Sequence, residues 1–303
     1  MSSAARRHVP LITGSRGRLG SVVCDVIEHQ HGDAFPEAVF ATRDELDLTD
    51  DDRIRSEMER IRPTVVINCA ADADVDGCED RAEVADSINH VGARRIARAS
   101  RGVGARIIQI STDMVFDGMR EAPQRPYVED DDTNPLSVYA ATKLAGERGV
   151  AEENPDHIIL RSSWYFGPEP ADRFPESFLR MLREGRVVRM VADRIGSPTY
   201  IGDLARAIVT LIHVPWSGVL HFSNGGDATS RYHIVLELAR RLGIDTSRLV
   251  PIPEKDWTGD RARRPRYSAL DSSRYEKVTG VRPRSWVDTL DDYLSGRAAG
   301  AKD

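Results

Sequence analysis

Short apolar runs recur along the first half of the chain, separated by longer stretches in which apolar residues return every three or four positions. The short runs are Val9–Thr13, Ala38–Ala41, Thr64–Asn68, Arg106–Ile110 and His157–Arg161. Two of them contain VVIN and RIIQI, which are apolar with little alternation, the pattern of strands covered on both faces. Helical periodicity falls at Leu19–Glu28, Arg53–Ile61, Ser87–Arg101 and Tyr139–Glu153. Strands alternating with helices predict βαβ units and an α/β, Rossmann-like, doubly wound parallel sheet. From about residue 164 the rhythm breaks, with Gly and Pro frequent in GPEPADRFP, IGSPT, VPWSG and SNGGD. The pattern therefore predicts a first domain over residues 1–163. A smaller region follows over 164–303, part of it returning to the sheet.

The first strand ends in Thr13-Gly14-Ser15-Arg16-Gly17-Arg18-Leu19-Gly20, directly before a helical pattern. In this context Gly14 permits a tight turn, Gly17 lets the backbone approach a pyrophosphate, and Gly20 lets helix and sheet pack closely. The diphosphate of a dinucleotide then meets the free N–H groups and positive dipole end of the helix. The second strand ends in Thr42-Arg43 rather than in the acidic residue that bonds a ribose 2′-hydroxyl. Arg43 suits a 2′-phosphate, so NADPH is the expected cofactor and NADH the alternative, with Asp44 and Glu45 close behind.

The strand reaching Ile110 runs into Ser111-Thr112-Asp113, and Tyr139-Ala140-Ala141-Thr142-Lys143 follows with YxxxK spacing on a helix. Residues four apart share a helix face, so phenol and ammonium point the same way. Hydride addition to a carbonyl builds negative charge on oxygen, which a phenol can protonate. A nearby ammonium and an oxidised nicotinamide would lower that phenol's pKa, and the Thr112 hydroxyl can donate to the same oxygen.

With these motifs in place, the sequence resembles the extended short-chain dehydrogenases/reductases, and within them the dTDP-4-dehydrorhamnose reductases. The resemblance spans about residues 9–290. It is carried by TGSRGRLG, ELDLTD, VVINCAADADVDGCE, ISTDMVFDG, YVEDDDTNPLSVYAATKLAGE, LRSSWYFGP, DRIGSPTY and ARRPRYSALD. It implies an NAD(P)-binding first domain, a substrate-binding second region, and reduction of the 4-keto group of a dTDP-6-deoxy-4-keto-L-hexose. It also implies roles. Thr112, Tyr139 and Lys143 match the catalytic trio. Gly17, Arg18 and Leu19 match the diphosphate turn, Asp47 and Leu48 the pair beside the adenine, and Ala70, Ala71 and Asp72 the segment lining the cofactor. Thr112, Asp113, Tyr139 and Trp164 match residues that touch the sugar nucleotide, with Val75 near the same pocket. Asn89 stands where related enzymes carry a helix asparagine. Met114 replaces the family's usual Tyr, which bears on sugar or nucleotide preference. Some members form dimers joined through magnesium and C-terminal glutamates. A homodimer is a possible assembly, but the last helical segment here, WVDTLDDYLSG, holds Asp and no Glu, so a link through magnesium is not expected.

Composition narrows the setting. Apolar residues make up 40% and charged residues 30% of 303, the net charge is −6 and the isoelectric point about 5.8. That balance disfavours sequence-independent nucleic-acid binding. No apolar run approaches the roughly 20 residues of a membrane span, the N-terminus lacks a signal-peptide core, and the cytoplasm is the expected compartment. Three cysteines build no disulfide framework, and Cys69 reads as a small buried residue. The eight histidines form no HxH or HExxH pair, so no metal is assigned. Glu129–Asp132 reads as a solvated loop. The basic run Arg261–Arg266 reads either as a grip on the acidic substrate or as solvated surface. Two other readings stay open: a 4-ketoreductase or epimerase for another nucleotide deoxysugar, and a non-catalytic NADP-binding regulatory subunit such as the methionine adenosyltransferase β subunits, which share this fold.

Overall fold

A computed structural model describes residues 8–119, 125–167 and 173–300; Pro168 and the first seven residues of the N-terminal segment lie outside the described residues. Among the described residues there are ten strands: β1 (Pro10–Thr13), β2 (Val39–Ala41), β3 (Val65–Asn68), β4 (Arg106–Thr112), β5 (His157–Ser162), β6 (Tyr165–Phe166), β7 (Val188–Val191), β8 (Thr199–Tyr200), β9 (Gly218–His221) and β10 (Leu249–Ile252). The first five coincide with the five expected strands to within two residues. Six strands form one parallel sheet in the order β2-β1-β3-β4-β5-β9. The chain leaves β1 for β2 on one side and then crosses to β3 on the other. That reversal opens a crevice at the C-terminal ends of β1 and β3, where ligands of open α/β sheets bind.

Alternation along each strand feeds two cores. Ile12, Val65, Ile67, Ile108 and Ile110 face the helices Arg18–His31 and Ile201–Leu211. Leu11, Val66 and Ile107 face the opposite layer, built by Asp51–Ile61 and Ala93–Gly102. A third core lies wholly after residue 163, with Phe166, Leu179, Leu238, Trp286 and Tyr293 among its members. Thus β9 and Ile201–Leu211 complete the first layer system, and Tyr267, Ala269 and Leu270 of the later chain pack with Val115, Phe116, Tyr127 and Leu144 in a fourth core.

Two local expectations change. The helix expected over Ser87–Arg101 opens with a π-helical turn, Ser87–Gly92, before Ala93–Gly102 continues as α-helix. Such turns often mark functional positions, and this one carries Asn89. The Asn89 side chain accepts from the Asp72 amide at 2.9 Å and donates to the Asp72 carbonyl at 3.0 Å and to Thr142 Oγ1 at 3.2 Å. It clamps the segment after β3 against the helix Val138–Glu153. The acidic cluster is also not simply solvated. Glu129 is buried and accepts from the His221 amide at 2.9 Å, at the end of β9, with Arg274 3.4 Å from its carboxylate.

The clamp requires Gly146, where a Cβ would collide with the Asn89 carbonyl oxygen. Gly→Ala inside a helix ordinarily gains up to about 1 kcal/mol. Here Gly146→Ala is expected to cost about 1–3 kcal/mol through overpacking, read as a lower urea midpoint; an unchanged or higher midpoint contradicts the close approach.

Candidate active site

The turn after β1 is tight. Gly14 has φ +65°, and its position lies against Ala70, so a Cβ there would meet the Ala70 backbone at 2.8 Å. The Gly17 amide donates to the Gly14 carbonyl at 2.8 Å, and a Cβ on Gly20 would strike that same oxygen. The helix Arg18–His31 then begins with no side-chain cap and no acidic residue in its first turn. In contrast, Asp50, Ser137 and Ser230 each cap the helix they precede. No side chain caps this helix start, which leaves it suited to an anion and fits a cofactor diphosphate. Arg18 itself reaches across to the Tyr165 carbonyl at 2.8 Å.

The second strand brings Arg43 to the same crevice. Its side chain is 72% exposed and only loosely paired with Asp47, at 3.5 Å. Glu45 is turned away, accepting from the amide and the hydroxyl of Thr42 at 2.8 Å each. Asp47 accepts from the Thr49 amide and hydroxyl, so its carboxylate shapes the turn. Leu48 is buried beneath Gly92, and its side chain belongs to the core. Ala70, Ala71 and Asp72 extend from β3 under the Asn89 clamp, and Arg81 neutralises the Asp72 carboxylate at 3.1 Å. Cys69 is partly buried, and burial pushes its thiol up to about 12.

Thr112, the last residue of β4, is buried and caps the 3-10 turn Asp113–Val115 by accepting from the Met114 amide at 3.1 Å. Its hydroxyl also lies 3.2 Å from Asp113 Oδ1. Asp113 is buried, takes a hydrogen bond from Ser268, and is pushed up to about 6 by burial. Lys143 is buried one turn beyond Tyr139 and donates to the Ile110 carbonyl at 2.7 Å; burial lowers it to about 8. The expected lowering of the phenol by Lys143 is not what this geometry gives. Burial, and then the Asp113 carboxylate, hold the Tyr139 phenol above its ordinary value. The phenol rests fully protonated, which is the state a proton donor needs.

Beneath the trio lies a network that sequence reasoning missed. Glu147, four residues past Lys143, is buried and paired with buried Arg161 at 2.7 Å, with further bonds at 2.9 and 3.2 Å. Ser111 donates to the same carboxylate at 2.5 Å. Ser111 and Arg161 are register partners on β4 and β5. The available signal was the continuation of YxxxK to YxxxKxxxE, an acidic residue on the same helix face.

The later chain supplies the outer wall. Trp164 follows β5 with φ +45°, an unusual conformation for a non-glycine residue, and is half-buried at the edge of the third core. Val75 begins a short helix whose Asp76 takes a bond from Arg264 at 2.7 Å and bonds from the Arg261 and Ala262 amides at 2.9 Å each. The basic run is thus largely paired: Arg261 with Asp80, Arg264 with Asp76 and Asp260, and Arg266 with Asp193 and Glu254. A cavity of about 630 Å³ opens beside it, with Leu136, Arg194, Trp257, Arg263 and Arg264 in its walls. Among the described residues no cluster of His, Cys, Asp and Glu is arranged to hold a metal, and no helix is long and apolar enough to cross a membrane.

A parallel sheet with an uncapped glycine turn and a Thr-Tyr-Lys trio at its C-terminal edge defines an extended short-chain dehydrogenase/reductase. The chain belongs to the RmlD substrate binding domain family, which matches residues 9–298. It is 37% identical to dTDP-4-dehydrorhamnose reductase of Streptomyces griseus, over 95% of this chain and 94% of that one. Its identity to the spore coat polysaccharide biosynthesis protein SpsK of Bacillus subtilis is 34%, over 95% and 98%. The crystal structure of dTDP-4-dehydrorhamnose reductase from Bacillus anthracis in complex with NADP superimposes with a TM-score of 0.87 at 31% identity, covering 96% of this chain and 99% of that chain.

Removing one partner of a buried ion pair leaves a bare charge. Glu147→Gln is therefore expected to destabilise the protein by about 3–5 kcal/mol in denaturant unfolding. The double variant Glu147→Leu, Arg161→Leu should recover most of that loss. A surface-like cost below about 1 kcal/mol for the single change would show that the pair is not desolvated.

Proposed function

We propose that the protein is an NADPH-dependent reductase of the 4-keto group of a dTDP-6-deoxy-4-keto-L-hexose, acting in the manner of its dTDP-4-dehydrorhamnose reductase relatives. The observation that carries this reading is the convergence of Thr112, Tyr139 and Lys143 at the end of β4, beside the uncapped glycine turn, in a chain alike to those reductases over nearly its whole length. We assign cofactor contacts to Gly14, Gly17, Arg18, Leu19, Gly20, Arg43, Asp47, Leu48, Ala70, Ala71, Asp72, Tyr139 and Lys143. The sugar nucleotide falls to Val75, Thr112, Asp113, Tyr139 and Trp164.

When bound, NADPH supplies the hydride that reduces the carbonyl carbon. Tyr139 gives its phenolic proton to the C4 oxygen, so the ketone becomes a secondary alcohol. Thr112 donates a hydrogen bond to that oxygen and steadies its developing charge. Lys143 holds the cofactor ribose, its ammonium set in place by the Ile110 carbonyl. The phenolate then recovers a proton from solvent. Asp113, close to both Thr112 and Tyr139, opposes early loss of the phenolic proton and keeps the donor charged with it until the carbonyl arrives.

A panel of dTDP- and UDP-4-keto sugars, incubated with the pure protein and NADPH and followed at the reduced-nicotinamide band, tests the reading. Turnover of a dTDP-4-keto-6-deoxyhexose is expected; tight NADPH binding without turnover of any member would turn the assignment toward the regulatory-subunit class.

Three expectations follow from the named side chains. Tyr139→Phe should lower kcat by about 10²–10⁴-fold while NADPH affinity survives, since one hydroxyl is removed; parental turnover by this variant would remove Tyr139 from the mechanism. NADPH should bind more tightly than NADH, and Arg43→Ala should narrow the gap; equal affinities in the parent would remove Arg43 from cofactor selection. Lys143 carries its charge below a pKa of about 8. NADPH affinity of the parent should therefore fall as pH rises through about 8, and Lys143→Met should flatten that limb in a titration of Kd against pH.

A further inference from the structure

Asp76 stands second in the short helix Val75–Cys78, and its carboxylate is bonded by residues from far along the chain. Its Oδ1 accepts from the Arg261 and Ala262 amides at 2.9 Å each and from Arg264 Nη1 at 3.0 Å, and its Oδ2 accepts from Arg264 Nη2 at 2.7 Å. Backbone and side chain of one late segment thus close on a single carboxylate. The pair is largely out of water, with the Arg264 side chain 19% and the Asp76 side chain 30% exposed. The neighbouring pair of Arg261 with Asp80 is 59% and 63% exposed. A guanidinium fork on both oxygens of a part-buried carboxylate is a strong form of ion pair, and an exposed pair is a weak one. Arg264 accordingly holds the Asp76 carboxyl well below the usual carboxylate range.

The segment fastened in this way forms a wall of the cavity of about 630 Å³, which Asp260, Ala262, Arg263 and Arg264 line. Its far end is pressed against Gly118, where a Cβ would meet the Tyr267 amide and carbonyl at 2.8 Å, and the Arg266 carbonyl accepts from the Ile195 amide at 2.7 Å. The same cavity is lined by Leu136 and Asp117. Leu136 directly precedes Ser137, which caps the helix that carries Tyr139, and Asp117 follows soon after the turn Asp113–Val115. The anchoring segment reaches that helix too: Glu79, next after Val75–Cys78, accepts from the Val138 amide at 2.9 Å. Residues 75–80 therefore hold the cavity wall through Asp76 and Asp80, and the start of the Tyr139 helix through Glu79.

We propose that Asp76 is a positioning residue for the reduction: it latches the strap 260–267 in place, fixes the cavity wall relative to Tyr139, and so sets the affinity for the sugar nucleotide. This rests on the reductase reading above. None of the bonds at Asp76 reaches the glycine turn or Arg43, and Asp72 is pinned separately by Asn89, so the latch leaves the cofactor alone.

The test follows reduction of a dTDP-4-keto-6-deoxyhexose and titrates dTDP and NADPH. It uses the full-length parent, Asp76→Ala, Asp76→Asn, Arg264→Met, the double variant Asp76→Asn, Arg264→Met, and Arg261→Met. Losing a charge-assisted bidentate contact should raise KM and weaken dTDP by roughly five- to fiftyfold in Asp76→Ala. The kcat should stay within about threefold of the parent, the mark of lost binding rather than lost chemistry. Asp76→Asn keeps an oxygen for the two amides and should fall between. The double variant should lose no more than its worse single change, because the two side chains act as one unit. Arg261→Met removes only an exposed pair and should stay within about threefold of the parent. NADPH affinity should hold at the parental value throughout, which also reports that each variant is folded. Parental KM and dTDP affinity in Asp76→Ala overturn the proposal, as does a loss shared equally by NADPH or a fall in kcat with KM unchanged. Tighter dTDP binding by Asp76→Asn also overturns it, since Arg264, freed of its partner, would then be gripping the ligand itself. Additive losses in the double variant contradict the latch. A parent that binds dTDP without turnover ends the reductase reading and leaves the dTDP series to decide this one. A parent that neither binds dTDP nor reduces any 4-keto sugar sinks both.

Discussion

A buried cation and a buried ion pair on one helix face hold this site together. Lys143 donates its ammonium to the end of β4 through the Ile110 carbonyl, and one turn later Glu147 binds Arg161 on β5 and Ser111 on β4. These bonds fix the helix Val138–Glu153 in height and rotation against two strand ends. Tyr139 lies on the same helix face and takes its position from them. The arrangement is costly to build, because charges taken out of water are stable only when fully paired. Its return is precision: the phenol, the Thr112 hydroxyl and the ammonium stand on rigid elements rather than loops.

The remaining parts of the site are fastened to this frame from outside. Asn89, on its π-helical turn, pins the Asp72 segment to Thr142 of the same helix. Ser268 joins the late chain to Asp113, and Arg264 joins it to Asp76. Residues more than 150 positions apart in sequence are thereby held around one crevice by polar bonds, reinforced by an apolar cluster in which Tyr267, Ala269 and Leu270 pack with Val115, Phe116, Tyr127 and Leu144.

The sheet and the glycine turn were legible in the sequence because local physics alone determines them. Apolar runs buried on both faces, such as VVIN, have few alternatives to a central parallel strand, and the TGxxGxxG spacing leaves only glycine where backbones touch. The pairing of Glu147 with Arg161 was not legible, because it depends on the register of β4 and β5 against a helix. Composition likewise made Glu129–Asp132 look solvated, whereas the amide at the end of β9 draws Glu129 inward. The effect of Lys143 on the phenol was misjudged for a similar reason. Helix spacing placed the two residues on one face, but the ammonium was claimed by the Ile110 carbonyl and the carboxylate of Asp113 came to lie nearer in effect.

In the proposed reaction a hydride reaches C4 of a nucleotide-linked 4-keto sugar while Tyr139 protonates its oxygen. NADPH deuterated at the transferable position, incubated with the parent protein and a dTDP-4-keto-6-deoxyhexose, tests it directly. Deuterium bound to C4 of the product sugar, seen by NMR and mass spectrometry, is the expected result. Product without deuterium at C4, or deuterium elsewhere on the ring, would contradict it.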